Sequence, residues 1–273
     1  MNVRRIGIIG FFLGTVLFSP AYSETRAFSL LDGRTIEAEI VDYDGRQGAV
    51  TLKRVDGKRV PVKTDIFVEA DQLYFKEWDA AKAFTSDSLF RISCDEEVLE
   101  KRKEEVYKDL RDTEGNVEEH LMKEIKYEDI AYNLNLRNGN KTALDNMRME
   151  YRIYYEQSRE SRDNPDATQY VLAGKTDLPA LPGGGTAAVT TDAVTIYSDN
   201  INSIDWSDGS ARVGGKGEVI GLRARLYITM GSGAEMTREI TYPKTLSDKG
   251  FPWKSGTGRP PAAVGAAKKK KKS

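Results

Sequence analysis

Cysteine and histidine are almost absent from this chain. Its 273 residues include one cysteine, Cys94, and one histidine, His120. A single thiol excludes an intramolecular disulfide. One His and one Cys cannot supply the usual zinc ligand set without several carboxylates. His120 ends the charged segment Asn116-Val117-Glu118-Glu119-His120, where no local motif offers it a nucleophile or an orienting partner. It reads as a solvated surface histidine. Cys94 lies in Leu89-Phe90-Arg91-Ile92-Ser93-Cys94 and reads as a small packing residue, not a reactive thiol. Glycine-rich Leu181-Pro182-Gly183-Gly184-Gly185 lacks the Lys-Ser/Thr of a phosphate loop, and no helical pattern follows it. It reads as a flexible connection. No pattern here points to catalysis, a cofactor or a metal, so a non-enzymatic protein is expected.

Long apolar runs are equally scarce. The longest covers residues 6–18, short of the roughly 20 residues a membrane-spanning helix needs. Arg4 and Arg5 precede it, Pro20 breaks it, and Ala21-Tyr22-Ser23 follows with small residues where a signal peptidase reads. This pattern predicts a cleaved signal peptide over residues 1–23 and a secreted or periplasmic mature chain. Net charge is −1, from 41 basic and 42 acidic residues. Setting aside Arg4, Arg5 and the terminal lysines Lys268, Lys269, Lys270, Lys271 and Lys272 leaves 34 basic against 42 acidic, or −8. Such a body argues against nucleic acid as its partner. The lysine run follows a linker-like Gly-Pro-Ala stretch and admits two readings: attachment to an anionic envelope surface, or a disordered solubilising end.

What remains is dominated by period-two alternation, the mark of half-buried antiparallel strands. Tyr132, Leu134 and Leu136 alternate with asparagines. Met147, Met149, Tyr151, Ile153 and Tyr155 alternate with mostly charged residues. Ile220, Leu222, Ala224, Leu226, Ile228 and Met230 continue the theme, and Met230-Gly231-Ser232-Gly233 turns that strand into a partner ending near Tyr242. Weaker strands are expected at residues 169–173 and 189–197. Residues 95–110, rich in Glu and Lys, predict a solvated charged helix or excursion, with Ser93 and Glu96 as a capping box. Residues 69–83 predict a short helix or turn anchored by Leu73, Tyr74 and Trp78, and residues 85–88 a linker. Two acidic stretches invite a calcium reading. Asp42-Tyr43-Asp44-Gly45 lacks an acid about nine residues after Asp44 and reads as a hairpin turn. Asp199, Asn200, Asn202, Asp205 and Asp208 read by default as a polar loop.

The stretch from residue 26 to 75 carries the most information. Its strands, with Ile36, Ala38 and Ile40 against Glu37 and Glu39, are punctuated by Asp32-Gly33-Arg34 and Asp56-Gly57-Lys58 turns. This pattern, with its Asp71-Gln72-x-Tyr74 closing segment, resembles the SLA-one homology domain named from a yeast endocytic adaptor. The resemblance implies an SH3-like barrel that binds short aromatic and acidic peptides, with an apolar groove and a basic residue for the ligand carboxylate. By position Arg54 is that residue, accompanied by Lys53, Lys58 and Arg59. Phe28 stands where the family usually has tryptophan. The family's labels are adaptor activity, cytoskeletal protein binding, ubiquitin binding and binding of identical proteins. An exported chain never meets the cytosolic machinery, so only peptide or protein binding carries over.

The expectation is therefore an all-β protein: a signal peptide (1–23), a small SH3-like barrel (24–84), an immunoglobulin/fibronectin-like β-sandwich (88–255) and a Lys-rich tail (256–273). Its expected function is non-catalytic recognition of a protein or peptide. The alternative is a carbohydrate-binding or structural envelope protein, with Tyr154, Tyr197 or Trp206 exposed to stack on sugars.

Overall fold

The structure is a computed structural model that describes residues 25–161, 166–201, 213–246, 250–258 and 260. The expected signal peptide, Asn202, Asp205, Trp206, Asp208 and the terminal lysines lie outside them. Twelve strands and one α-helix make up the described chain, and every strand pairing is antiparallel.

Strands β1 (Arg26–Ser29), β2 (Thr35–Asp44), β3 (Ala49–Arg54) and β4 (Arg59–Lys63) form a four-stranded sheet in that order. Its tight turns require glycines with positive φ: Gly33 at 87° and Gly57 at 81°. After a 3-10 turn at Thr64–Ile66, Phe67 bridges back to Leu30. This contact brings the end of the unit against its beginning.

Helix α1 (Glu69–Thr85) covers the open end of that sheet. Its anchors differ in part from expectation. Leu73 is exposed, while Phe75 is fully buried beside Phe28 and Phe67 and Trp78 is buried with them. Phe75 falls one residue after the expected Tyr74, which is only partly buried. The far end of α1 serves a second core: Ala81, Ala83 and Phe84 pack with residues of the later strands. The helix therefore joins two cores. Residues 85–88, expected as a linker, form the end of the helix and a tight turn, held where Arg238 donates to Phe84 O and to Phe90 O at 2.7 Å.

Eight strands follow: β5 (Phe90–Arg111), β6 (Val117–Asn138), β7 (Met147–Gln157), β8 (Thr168–Asp177), β9 (Thr186–Thr190), β10 (Val194–Ile201), β11 (Gly217–Thr229) and β12 (Glu235–Tyr242). They form two sheets. In one, β6 lies between β5 and the successive partners β10 and β9. In the other the order is β12-β11-β7-β8. Both sheets contribute to one apolar core, with Tyr132, Leu134 and Leu136 from β6 against Met149, Tyr151 and Ile153 from β7 and Leu222 and Leu226 from β11. The alternation on β6, β7 and β11 is therefore read correctly from sequence.

The charged segment 95–110 is not a helix. It is the middle of β5, a 22-residue strand paired with β6 throughout. Ser93 lies within that strand and so caps no helix. Helix-favouring Glu and Lys yield here to continuous ladder pairing with β6. Charges meet across the ladder at Lys101–Glu128 (2.8 Å), Arg102–Asp129 (3.4 Å) and Lys103–Glu124. The strand expected at 189–197 is two, β9 and β10, separated by a loop at Thr191. The glycine-rich segment near 183 is pinned, not flexible: Asn138 Nδ2 donates to Thr142 O, Leu181 O and Pro182 O, and a Cβ on Gly183 would lie 2.1 Å from Lys141 O.

Residues 250–258, expected partly as a disordered tail from 256, instead lie across the outer face of the β12-β11-β7-β8 sheet. Tyr154 Oη donates to Pro252 O at 2.7 Å, and Thr257 N donates to Val171 O at 2.8 Å. The guanidinium groups of Arg152 and Arg225 lie 4.4 and 4.2 Å from the ring of Trp253.

Candidate functional site

The four basic residues near the Asp56-Gly57 turn part company in the structure. Strand alternation puts Lys53 and Arg59, which are paired across β3 and β4, on the outward face. Lys53 engages Glu39 at 3.3 Å. Lys58 lies at the turn, where its backbone N–H donates to Asp56 Oδ1. Arg54 shares the face of Leu52 and Ala38, the inward face of the sheet, and stands at its open rim.

That rim is a groove. It encloses about 690 Å³ and is lined by Ile36, Leu52, Val55, Val60 and Val62, with Glu37, Arg54 and Asp56 at the edge. The volume falls within the range of small-ligand and peptide-anchor sites. Val55 and Val60 are exposed, at 77% and 37%. The guanidinium of Arg54 lies 3.7 Å from Asp56 Oδ2, and both are exposed. Such a pair is worth only about 0–1 kcal/mol, so Arg54 can exchange it for a ligand carboxylate.

Phe28 takes no part in this groove. It is 1% exposed, its ring 5.0 Å from Phe75 and 6.3 Å from Phe67. Arg26 covers Tyr74 at 3.9 Å and binds Asp71 Oδ1 at 3.2 Å, while Asp71 Oδ2 accepts Ser29 N at 2.7 Å. The closing segment that carries the resemblance thus ties α1 to β1.

A larger hollow of about 1370 Å³ opens between β5 and β12, with Arg91, Cys94, Arg137, Arg238 and Tyr242 on its walls. Burial, reinforced by Asp95, pushes the Cys94 thiol up to about 12, so the thiol is held in its unreactive protonated form. The sugar-stacking alternative loses two of its aromatics. Tyr154 is fully buried and Tyr197 is 5% exposed, because their strands bury both faces at those positions. Asp199 and Asn200 belong to β10, not to a loop, and the Asp199 side chain faces Lys123 in the interior. The residues that gather there, Lys123, Glu160 and Asp199, carry no local sequence signal. Among the described residues, no group of three or more His, Cys, Asp or Glu side chains could hold a metal ion.

No protein-family model matches the chain, and no curated protein matches it. Among solved structures it is similar to Northeast Structural Genomics Consortium target SoR45, at 12% identity over 57% of this chain and 86% of that one, with a TM-score of 0.24. Likeness at that level carries no argument about fold or function.

Proposed function

We propose that this chain is an exported, non-catalytic binding protein whose N-terminal unit (24–84) is an SH3-like barrel of the SLA-one homology type. In this reading residues 88–255 are an immunoglobulin-like sandwich that presents the barrel, and the lysine run beyond it attracts anionic envelope surfaces. The groove beside Arg54 carries the reading. It combines an apolar floor with one basic residue at its rim, the pairing that an aromatic and acidic peptide requires.

The test is fluorescence anisotropy with a labelled Asn-Pro-Phe-x-Asp peptide against the full mature chain. Binding that weakens at least about tenfold in Arg54→Glu, and is unchanged in Lys53→Glu, supports the assignment. A charge-assisted hydrogen bond of about 1.5–3 kcal/mol predicts that loss. Equal loss in both variants, or no binding at millimolar peptide, removes the groove as the site.

A further inference from the structure

Lys123 of β6 and Asp199 of β10 are diagonal neighbours on one face of their sheet. Ile201 stands opposite Lys123, and Asp199 opposite Ile125. Glu160, just past the end of β7, completes a group of three. All three side chains are sealed from solvent, at 6%, 1% and 7% exposure for Lys123, Asp199 and Glu160. Ile125, opposite Asp199, packs with Tyr197 in a small apolar cluster on the same face. The Lys123 amine lies 3.0 Å from Glu160 Oε2 and 3.9 Å from Asp199 Oδ2. Neither carboxyl oxygen of Asp199 has a hydrogen-bond partner among the described residues.

As an ordinary ion pair this arrangement is poorly built. A buried carboxylate without hydrogen bonds is among the most unfavourable groups a protein interior can hold. The backbone nevertheless fixes it firmly. Asp199 N donates to Gly215 O at 2.9 Å, and a Cβ on Gly214 would lie 2.0 Å from Asp199 O, so only glycine lets that segment press against β10. Burial also pushes the Asp199 carboxyl up, towards its neutral form, against the pull of Lys123.

We infer that Lys123 and Asp199 condense with each other, forming an intramolecular amide cross-link between β6 and β10 with Glu160 as the catalytic base and acid. Lys123 first passes one proton from its ammonium to Asp199, leaving a neutral amine and a neutral carboxyl, and the amine nitrogen then attacks Cγ of Asp199. Glu160 accepts the proton that the nitrogen sheds and returns it to the departing hydroxyl. One C–N bond forms, one C–O bond breaks, and one water leaves. No oxidant, reductant or cofactor takes part. The reaction removes the charges of Lys123 and Asp199 and leaves Glu160 beside a neutral amide. Held neighbours need no encounter, which in well-oriented pairs is equivalent to effective concentrations of about 10⁵–10⁸ M. The amine lies 3.9 Å from Asp199 Oδ2, and attack requires it to swing from Glu160 until it is roughly 3–3.5 Å from Cγ. This cross-link is independent of the peptide-binding reading.

Intact-mass spectrometry of the purified full-length chain, with peptide mapping, tests it. The wild-type protein should fall short of its sequence mass by about 18 Da, one water, and yield a branched peptide joining the segments that hold Lys123 and Asp199. Lys123→Arg and Asp199→Ala should each show the full mass expected for their sequence. Glu160→Gln, with unchanged circular dichroism, should retain the full mass or lose the water only slowly. A wild-type protein at full mass, giving only linear peptides, overturns the proposal and leaves the group as an ion cluster. This readout needs no variant to fold. A deficit that appears in Glu160→Gln at the wild-type rate overturns the role given to Glu160.

Discussion

Alanine at position 174 offers a sharp test of how the two later sheets are held together. Gly174 on β8 pairs with Tyr151 on β7, and the tyrosine ring lies flat over the missing side chain. A Cβ placed there would be 2.2 Å from Cζ and 2.3 Å from Oη of Tyr151. Ordinary contact begins near 3.4 Å, so the ring must move by more than 1 Å. It has little room, because Tyr151 is 2% exposed within the shared core. Its hydroxyl also spans the sheets, donating to Asp192 Oδ2 at 2.8 Å and accepting from Asp192 N at 2.9 Å. Overpacking typically costs about 1–3 kcal/mol, and two lost hydrogen bonds about 0.5–1.5 kcal/mol each. Gly174→Ala should therefore destabilise the protein by about 2–6 kcal/mol. At a glycine with space around it, the same change would stabilise by about 0.4–1 kcal/mol, so the sign is diagnostic. Guanidinium denaturation followed by circular dichroism measures the change. A double-mutant cycle with Tyr151→Leu should return most of the loss as coupling between the two sites. A Gly174→Ala protein within about 0.5 kcal/mol of wild type, the range of neutral surface changes, would refute the reasoning.

Three other outcomes are expected. Phe28→Ala should lower stability by about 3–5 kcal/mol, as for other fully buried aromatics. Equilibrium unfolding measures it, and a near-neutral result would return Phe28 to the groove. With the Cys94 thiol at about 12, only about one molecule in ten thousand is thiolate at pH 8. Iodoacetamide labelling of the folded chain should be correspondingly slow, rise about tenfold per pH unit, and become fast in denaturant; rapid labelling at neutral pH would contradict the burial. Trp253→Ala removes two cation–π contacts worth about 0.5–1 kcal/mol each. Tryptic cleavage after Lys254 should then accelerate roughly 5–30-fold, and an unchanged rate would mean that the segment is held by its backbone hydrogen bonds alone.

The parts of the fold visible in the sequence are those where one strand face is buried and the other wet. β7 and β11 declare themselves because Met147 to Tyr155 and Leu222 to Ile228 alternate against charged residues. β5 does not, because most of its length is exposed on both faces and its apolar partner lies on another strand. Helix α1 was legible in extent and only partly in facing: Trp78 turns inward as expected, but Phe75, not Leu73, joins it. The groove was half legible. Arg54 could be singled out by position, but only alternation along a folded β3 separates it from Lys53. Lys123, Glu160 and Asp199 were invisible as a group. Their meeting depends on the register between β6 and β10 and on where β7 ends, neither of which any of the three segments states.

The hairpin of β5 and β6 has a mechanical consequence. Among the described residues, β10 accompanies β6 only from Lys123 onward. From Val106 to the turn near Gly115 the described residues show the hairpin paired only with itself, reaching roughly 17 Å past that point at about 3.3 Å per residue. Both strands run unbroken from this tip into the centre of the protein, where Phe90 stacks on Phe84 of α1. A pull on the tip along its axis loads the ladder in shear, with many hydrogen bonds resisting together. A sideways push works against a long lever and delivers its torque to the seat of the helix, which both cores share.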